Sequence, residues 1–173
     1  MTAIIIRPAL PADLEGLLAV EQICFSTDRI TRRQMRYLMR RPTAIMRLAA
    51  KEEQVIGYGI TLVPRLPRPA RLYSLAVRPD NQGRGLGQRL LGTLLTEAAA
   101  QGYIRFTLEV RASDGKTADF YTRAGFKPID TLPGYYQDGE AALRMMAQGL
   151  HWDTSLPYVY RSDESPVPPS VFS

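Results

Sequence analysis

Between positions 77 and 88 the chain reads Val77-x-Pro79, then Gln82-Gly83-Arg84-Gly85-Leu86-Gly87-Gln88. An apolar run at 72–77 leads into this stretch, and a long helical pattern at 88–100 leaves it. A helix N-terminus carries unpaired amides and a partial positive charge, and both attract phosphate. Gly83, Gly85 and Gly87 let the backbone approach a ligand and take positive φ, while Arg84 and Arg89 add charge. The spacing is not that of a nucleoside-triphosphatase loop, since no Gly-Lys-Ser/Thr follows at the required offset. It is not a dinucleotide fingerprint either, because Gln88 stands where the last glycine belongs. A phosphate-binding turn of another kind is expected, the bland alternative being a loop that uses glycine only to turn.

The arrangement Gln82-x-x-Gly85-x-Gly87 with its Val77-x-Pro79 lead resembles the pyrophosphate-binding motif of the GNAT superfamily of acetyltransferases. The resemblance implies acetyl-CoA as cosubstrate, no metal, and a single-domain GNAT acyltransferase fold. It puts Gln82, Gly83, Arg84, Gly85, Leu86, Gly87 and Gln88 at the cofactor. It also implies that the pantetheine arm pairs with the main chain of the preceding strand at Leu75, Ala76 and Val77, where a backbone N–H would polarise the thioester carbonyl.

Downstream lie Leu108-Glu109-Val110-Arg111-Ala112-Ser113-Asp114, Phe120-Tyr121, Ala124-Gly125-Phe126 and Tyr135-Tyr136. Together they resemble the RimI branch, the N-terminal-alanine acetyltransferases of ribosomal proteins, over residues 3–150 and most densely from 72 onward. Transfer from a thioester to an amine needs a base near the amine and a proton donor near the departing sulfur. The resemblance implies Glu109 as the base, directly or through water, and Tyr121 as the acid. Read alone, Glu109 is as well a strand-end carboxylate paired with Arg111 or another arginine, and Tyr121 a packed aromatic. RimI-like chains carry Asn where this one has Asp114. A carboxylate there still caps a helix, but it cannot donate as an amide does, and it repels phosphate.

On the acceptor side the resemblance implies that Phe25, Tyr135 and Tyr136 hold the substrate, with a rigid loop cover as the alternative for the tyrosine pair. Ser26-Thr27-Asp28-Arg29 follows Phe25 in place of the Pro-Trp common in that branch. The acceptor implied is a protein N-terminus, a ribosomal protein among them. Lysine or a small amine remains an alternative, as does a CoA-binding module without catalysis.

The elements that must position these residues follow from periodicity and breakers. Strands are expected at 3–6, 43–50, 55–63, 72–77, 104–110, 126–130 and 141–147. Helices are expected from Pro11-Ala12-Asp13 to Phe25, from Arg32 under a Thr31 cap to Arg40, at 88–100, and from a Ser113 or Asp114 cap to about Ala124. The order βααβββαβαββ is that of an α/β domain with a mixed central sheet over residues 1–150. Residues 151–173 form a Pro/Ser-rich C-terminal tail with Trp152, Tyr158 and Tyr160, which docks either on the body or on a second subunit.

A chain of 173 residues with 45% hydrophobic content can bury its own core. One cysteine, Cys24, and one histidine, His151, exclude a disulfide framework and a zinc cluster. With no signal peptide and no apolar span, a cytoplasmic protein without membrane attachment is expected, as monomer or homodimer. The net charge of +5 favours no partner by itself. Arg29, Arg32, Arg33, Arg36, Arg40 and Arg41 crowd one segment. Such a segment can steer an acidic peptide or dock on ribosomal RNA, but charge runs are ordinarily solvated, so Met35, Leu38 and Met39 are expected to pack inward beneath an exposed arginine face, and nucleic acid is disfavoured as a partner.

Overall fold

The computed structural model describes residues 3–148 and 159–161. Its elements are β1 (Ala3–Pro8), α1 (Leu14–Cys24) entered through a 3-10 turn at Pro11–Asp13, α2 (Arg32–Arg40), β2 (Ala44–Lys51), β3 (Gln54–Leu62) and β4 (Ala70–Val77). Then follow α3 (Leu86–Ala100), β5 (Arg105–Arg111), α4 (Gly115–Arg123), β6 (Lys127–Leu132), β7 (Ala142–Gln148) and β8 (Val159–Arg161). This is the order expected from the sequence, with β8 added. The rest of the segment read as a tail, including His151, Trp152 and Tyr158, lies outside the described residues.

The strands form one sheet in the order β6-β7-β5-β4-β3-β2-β1-β8. All neighbours run antiparallel except β4 and β5. The side-chain period of two on β3 separates the layers. Tyr58 and Ile60 pack with Leu17 and Val20 of α1 and Met35 and Leu38 of α2. Gly57 and Gly59, on the opposite face, meet Leu90 and Leu94 of α3. A Cβ on Gly59 would stand 2.5 Å from Leu94 Cδ1, and one on Gly57 2.9 Å from the Ala76 carbonyl oxygen. These two positions must lack a side chain for α3 to lie this close to the sheet. On the same side, α4 packs Tyr121 with Leu94, Phe106, Phe126 and Met145 in the larger core cluster.

Local signals account for the element ends. Thr31 Oγ1 accepts from the Gln34 amide at 3.2 Å while Gln34 Oε1 accepts from the Thr31 amide at 2.8 Å. This reciprocal cap, worth about 1 kcal/mol, starts α2 where the sequence reading put it. Strand β4 starts two residues earlier than expected, because Ala70 and Arg71 pair with Phe106 and Thr107 of β5. Helix α3 also starts two residues early, at Leu86, because Gly85 is its N-cap with φ of 77°. Among the described residues no helix is long and apolar enough to cross a membrane.

Candidate active site

Strands β4 and β5 are paired at only two rungs, Ala70↔Phe106 and Arg71↔Thr107. Beyond them the strands part. Ser74, Leu75, Ala76 and Val77 on one side and Leu108, Glu109, Val110 and Arg111 on the other line a cleft of about 700 Å³. The opposite edge of β4 stays paired with β3 through Gly57↔Val77, Tyr58↔Ala76 and Gly59↔Leu75. The Val77 carbonyl accepts from Gln82 Nε2 at 2.9 Å and from Cys24 Sγ at 3.3 Å, both residues of the cleft wall. Val77 therefore turns its main-chain groups to the open edge, and strand alternation turns those of Leu75 the same way and those of Ala76 toward β3. The open edge offers the N–H and C=O of Leu75 and the N–H of Val77 to an extended ligand.

Beside this edge the chain makes a 3-10 turn at Pro79–Asn81 and passes Gly83 and Gly85, both left-handed at φ of 80° and 77°. The early amides of α3, at Leu86, Gly87 and Gln88, have no intrahelical acceptor and can meet an anion. The Leu86 side chain is buried in the core, so only its amide is available, while Arg84 is exposed. Gln82 gives one of its two side-chain N–H donors to the Val77 carbonyl and keeps its carbonyl oxygen. Asp114 lines the cleft as the cap of α4: Oδ1 accepts from the Thr117 amide at 3.1 Å and Oδ2 from the Thr117 hydroxyl at 2.7 Å.

Glu109 sits at the other end of the cleft with 5% of its side chain exposed. Its Oε2 accepts from Arg71 Nε at 3.0 Å, and its Oε1 from Arg144 Nε and Nη2 at 3.1 and 3.0 Å. Arg144 is its direct cross-strand partner on β7, and Arg71 stands at the last rung before the strands part. The pairing with Arg111 entertained from the sequence is not found, because Arg111 is engaged elsewhere. A carboxylate offers about four lone-pair sites. Three are used, so Oε2 keeps one for a water or an amine.

Tyr121 lines the same cleft from α4, its ring edge-on to Phe120 and Phe126 at 5.0 and 5.8 Å. Burial first, then the charges of Asp114 and Tyr136, push its phenol well above the ordinary tyrosine range, so it remains a neutral donor.

Phe25, Tyr135 and Tyr136 stand around the cleft, with the two tyrosine rings edge-to-face at 5.0 Å. Tyr135 takes a hydrogen bond from Arg71 Nη2 at 2.7 Å, which links it to Glu109 through one guanidinium. Arg111 joins three chain segments. It donates to Thr27 Oγ1 at 2.8 Å, Asp28 Oδ2 at 3.0 Å and Asp138 Oδ2 at 2.9 Å, and lies 4.1 Å from the centre of the Tyr136 ring. The Gln137 amide adds a bond to Asp28 Oδ1 at 3.2 Å. The loop after α1 and the loop before β7 are thus tied across one side of the cleft.

Glu21, on the same wall segment as Phe25, belongs to the cleft, although no role was expected of it from the sequence. It is 3% exposed, its Oε1 accepts from the Ile30 amide at 2.8 Å, and its Oε2 accepts from the Tyr58 hydroxyl. Burial raises its pKa against those two hydrogen bonds. The available signal was an acid four residues after Leu17, on the apolar face of α1.

A family profile described as "Acetyltransferase (GNAT) domain" matches residues 15–148. An uncharacterized N-acetyltransferase of Methanocaldococcus jannaschii is 32% identical over 145 residues, 82% of this chain and 90% of that protein. The [ribosomal protein bS18]-alanine N-acetyltransferase of Salmonella typhimurium is 38% identical over 101 residues, 58% of this chain and 62% of that protein. The crystal structure of the ribosomal-protein-S18-alanine N-acetyltransferase of Escherichia coli superposes with a TM-score of 0.76 at 26% identity, covering 88% of this chain and 98% of that one.

Proposed function

We propose, for a chain that belongs to the GNAT acetyltransferase domain family, that this acetyl-CoA-dependent N-acetyltransferase carries acetyl to the α-amino group of a protein N-terminus. The carrying observation is the parted strand pair, with α3's free amides beside the β4 edge and Glu109 and Tyr121 facing the same cleft. The pyrophosphate lies on the amides of Leu86, Gly87 and Gln88, with Gly83, Arg84 and Gly85 around it. The pantetheine arm follows β4 along the main chain of Leu75 and Val77. This narrows the expectation for that strand, since Ala76 supports the arm through the β3 ladder.

The amine attacks the thioester carbon, a C–N bond forms, and the C–S bond breaks. The proton lost by nitrogen passes, directly or through one water, to the free lone pair of Glu109 Oε2. The departing sulfur takes a hydrogen bond and its proton from the Tyr121 hydroxyl. Glu109 was legible as a paired carboxylate and as a base, and the lone-pair count lets one residue be both. A Leu75 or Val77 amide stabilises the carbonyl oxygen as it gains charge.

Support for a chain terminus over a lysine side chain comes from the tied loops around Phe25, Tyr135 and Tyr136, and from the relatives named for alanine N-acetylation. The reading is tested by giving the protein acetyl-CoA and a peptide pool varied at the first residue, with internal lysines and free polyamines present. Mass spectrometry locates the acetyl group. Modification of α-amines alone is expected; modification of lysine or polyamine alone keeps the enzyme and discards the acceptor.

Two further outcomes follow from the geometry. Tyr121→Phe keeps the ring contacts and so the melting temperature, yet kcat should fall by about 100-fold, the worth of one general acid. Because the folded-state pKa is raised, the donor stays protonated as pH climbs, and the wild-type profile should show no falling limb from Tyr121 up to about pH 10. A wild-type rate in the Phe variant sinks the acid role. Arg111→Ala should raise the acceptor KM about tenfold, equal to about 1.4 kcal/mol or one charge-assisted hydrogen bond, with the acetyl-CoA KM unmoved. An unchanged acceptor KM would mean the loops hold without their tie.

A further inference from the structure

Residues 29–41 hold six arginines and no acid, while the other 16 basic and 17 acidic residues of the chain nearly cancel. The net charge of +5 is thus a local property of one segment. That changes the expectation of a merely solvated face, because a dispersed surface charge would leave no such imbalance.

Met35 and Leu38 pin α2 to the sheet, so Arg33, Arg36, Tyr37 and Arg40 lie on its outer side, at spacings of three and four. Tyr37 is 62% exposed, with the Arg41 guanidinium 5.8 Å from its ring centre. Arg32 pairs with Glu15, and Arg29 donates to the main chain at Phe25 and Gln22. Among the described residues no ion pair joins Arg33, Arg36 or Arg40 to an acid.

We propose that the outer face of α2 binds RNA. The partner is anionic because α2 carries no acid, and the one acid acting on Arg36, Glu15 of α1, is already paired with Arg32. The cations of the segment are arginines, which pair phosphate through a planar fork and stack on bases. An exposed tyrosine among the arginines adds a stacking platform for an unpaired base. A lipid surface would instead ask for a row of exposed apolar side chains beside the arginines, and Tyr37 is the only large one exposed on α2. The inference does not rest on the proposed acceptor, and its test does not read activity.

The full chain is titrated into a labelled single-stranded RNA of about 20 nucleotides, long enough to span one such face, and anisotropy is followed. With about four phosphates contacted, raising salt from about 50 to about 200 mM should weaken binding by about 50-fold. The triple variant Arg33→Gln/Arg36→Gln/Arg40→Gln should lose more than about tenfold in affinity, and Tyr37→Ala about fivefold at unchanged charge. The control Arg65→Gln/Arg68→Gln/Lys127→Gln removes the same charge from other exposed positions and should retain affinity. Melting curves verify that each variant is folded. Absent binding at the lower salt, equal losses in both triple variants, or tighter α2-dependent binding to polyglutamate or to phosphatidylserine vesicles would each overturn the assignment.

Discussion

Glu109→Gln is expected to lower kcat by about 100-fold or more while leaving acetyl-CoA affinity unchanged, because it removes the proton acceptor proposed above and touches nothing at the phosphate end. The amide is nearly isosteric, yet it cannot accept from both guanidiniums as the carboxylate does, since one of its two tips is now a donor facing Arg71 or Arg144. Some stability is lost as well. Breaking a buried pair costs about 3–5 kcal/mol, and the arginines here are about a third exposed, so the loss should be well below that. Single-turnover rates across pH, calorimetry with CoA and a melting curve separate these effects. A wild-type pH–rate profile in this variant would remove Glu109 from the proton transfer and turn attention to Glu21, a second buried carboxyl group at the cleft.

Gly85→Glu should weaken CoA binding by at least about 100-fold, or about 2.8 kcal/mol. Two costs act together. A residue with a Cβ is strained at φ of 77° by about 1–2 kcal/mol. The new carboxylate also occupies the space in front of the α3 amides and repels the phosphates that would sit there. Gly85→Ala carries the strain without the charge or bulk, so it should lose less than about tenfold. Calorimetry with CoA on the three proteins decides it. An unchanged affinity in the Glu variant means the pyrophosphate lies elsewhere.

The strand–turn–helix from β4 to α3 was legible because its signals are local: a strand, three glycines in five residues, and a helix, all within one stretch of chain. The α2 cap was legible for the same reason. What stayed hidden depends on pairing between distant residues. Nothing near Arg71 marks it as the bridge between Glu109 and Tyr135, 38 and 64 positions away. The tie made by Arg111 joins residues 84 and 27 positions away, so the sequence offered only its neighbour Glu109 as a partner. Glu21 was legible, with Phe25, as part of the first-helix wall, but not its burial between two donors, the Ile30 amide and the Tyr58 hydroxyl, 9 and 37 positions away. The parting of β4 from β5 cannot be read from either strand alone, since each has ordinary strand periodicity.

That parting has a consequence for the protein without its cofactor. An unpaired strand edge is a template for any extended chain, and sheets normally keep such edges at their rims, blunted by charge, proline or bulges. Here the unpaired edge of β4 lies in the middle of the sheet, at apolar Leu75 and Val77, and the occupant proposed for it is not a peptide. On the binding mode proposed above, coenzyme occupancy would double as protection against self-association. Protein stripped of CoA should aggregate sooner on mild heating than protein saturated with it, and by strand addition at β4, before the body of the domain has melted.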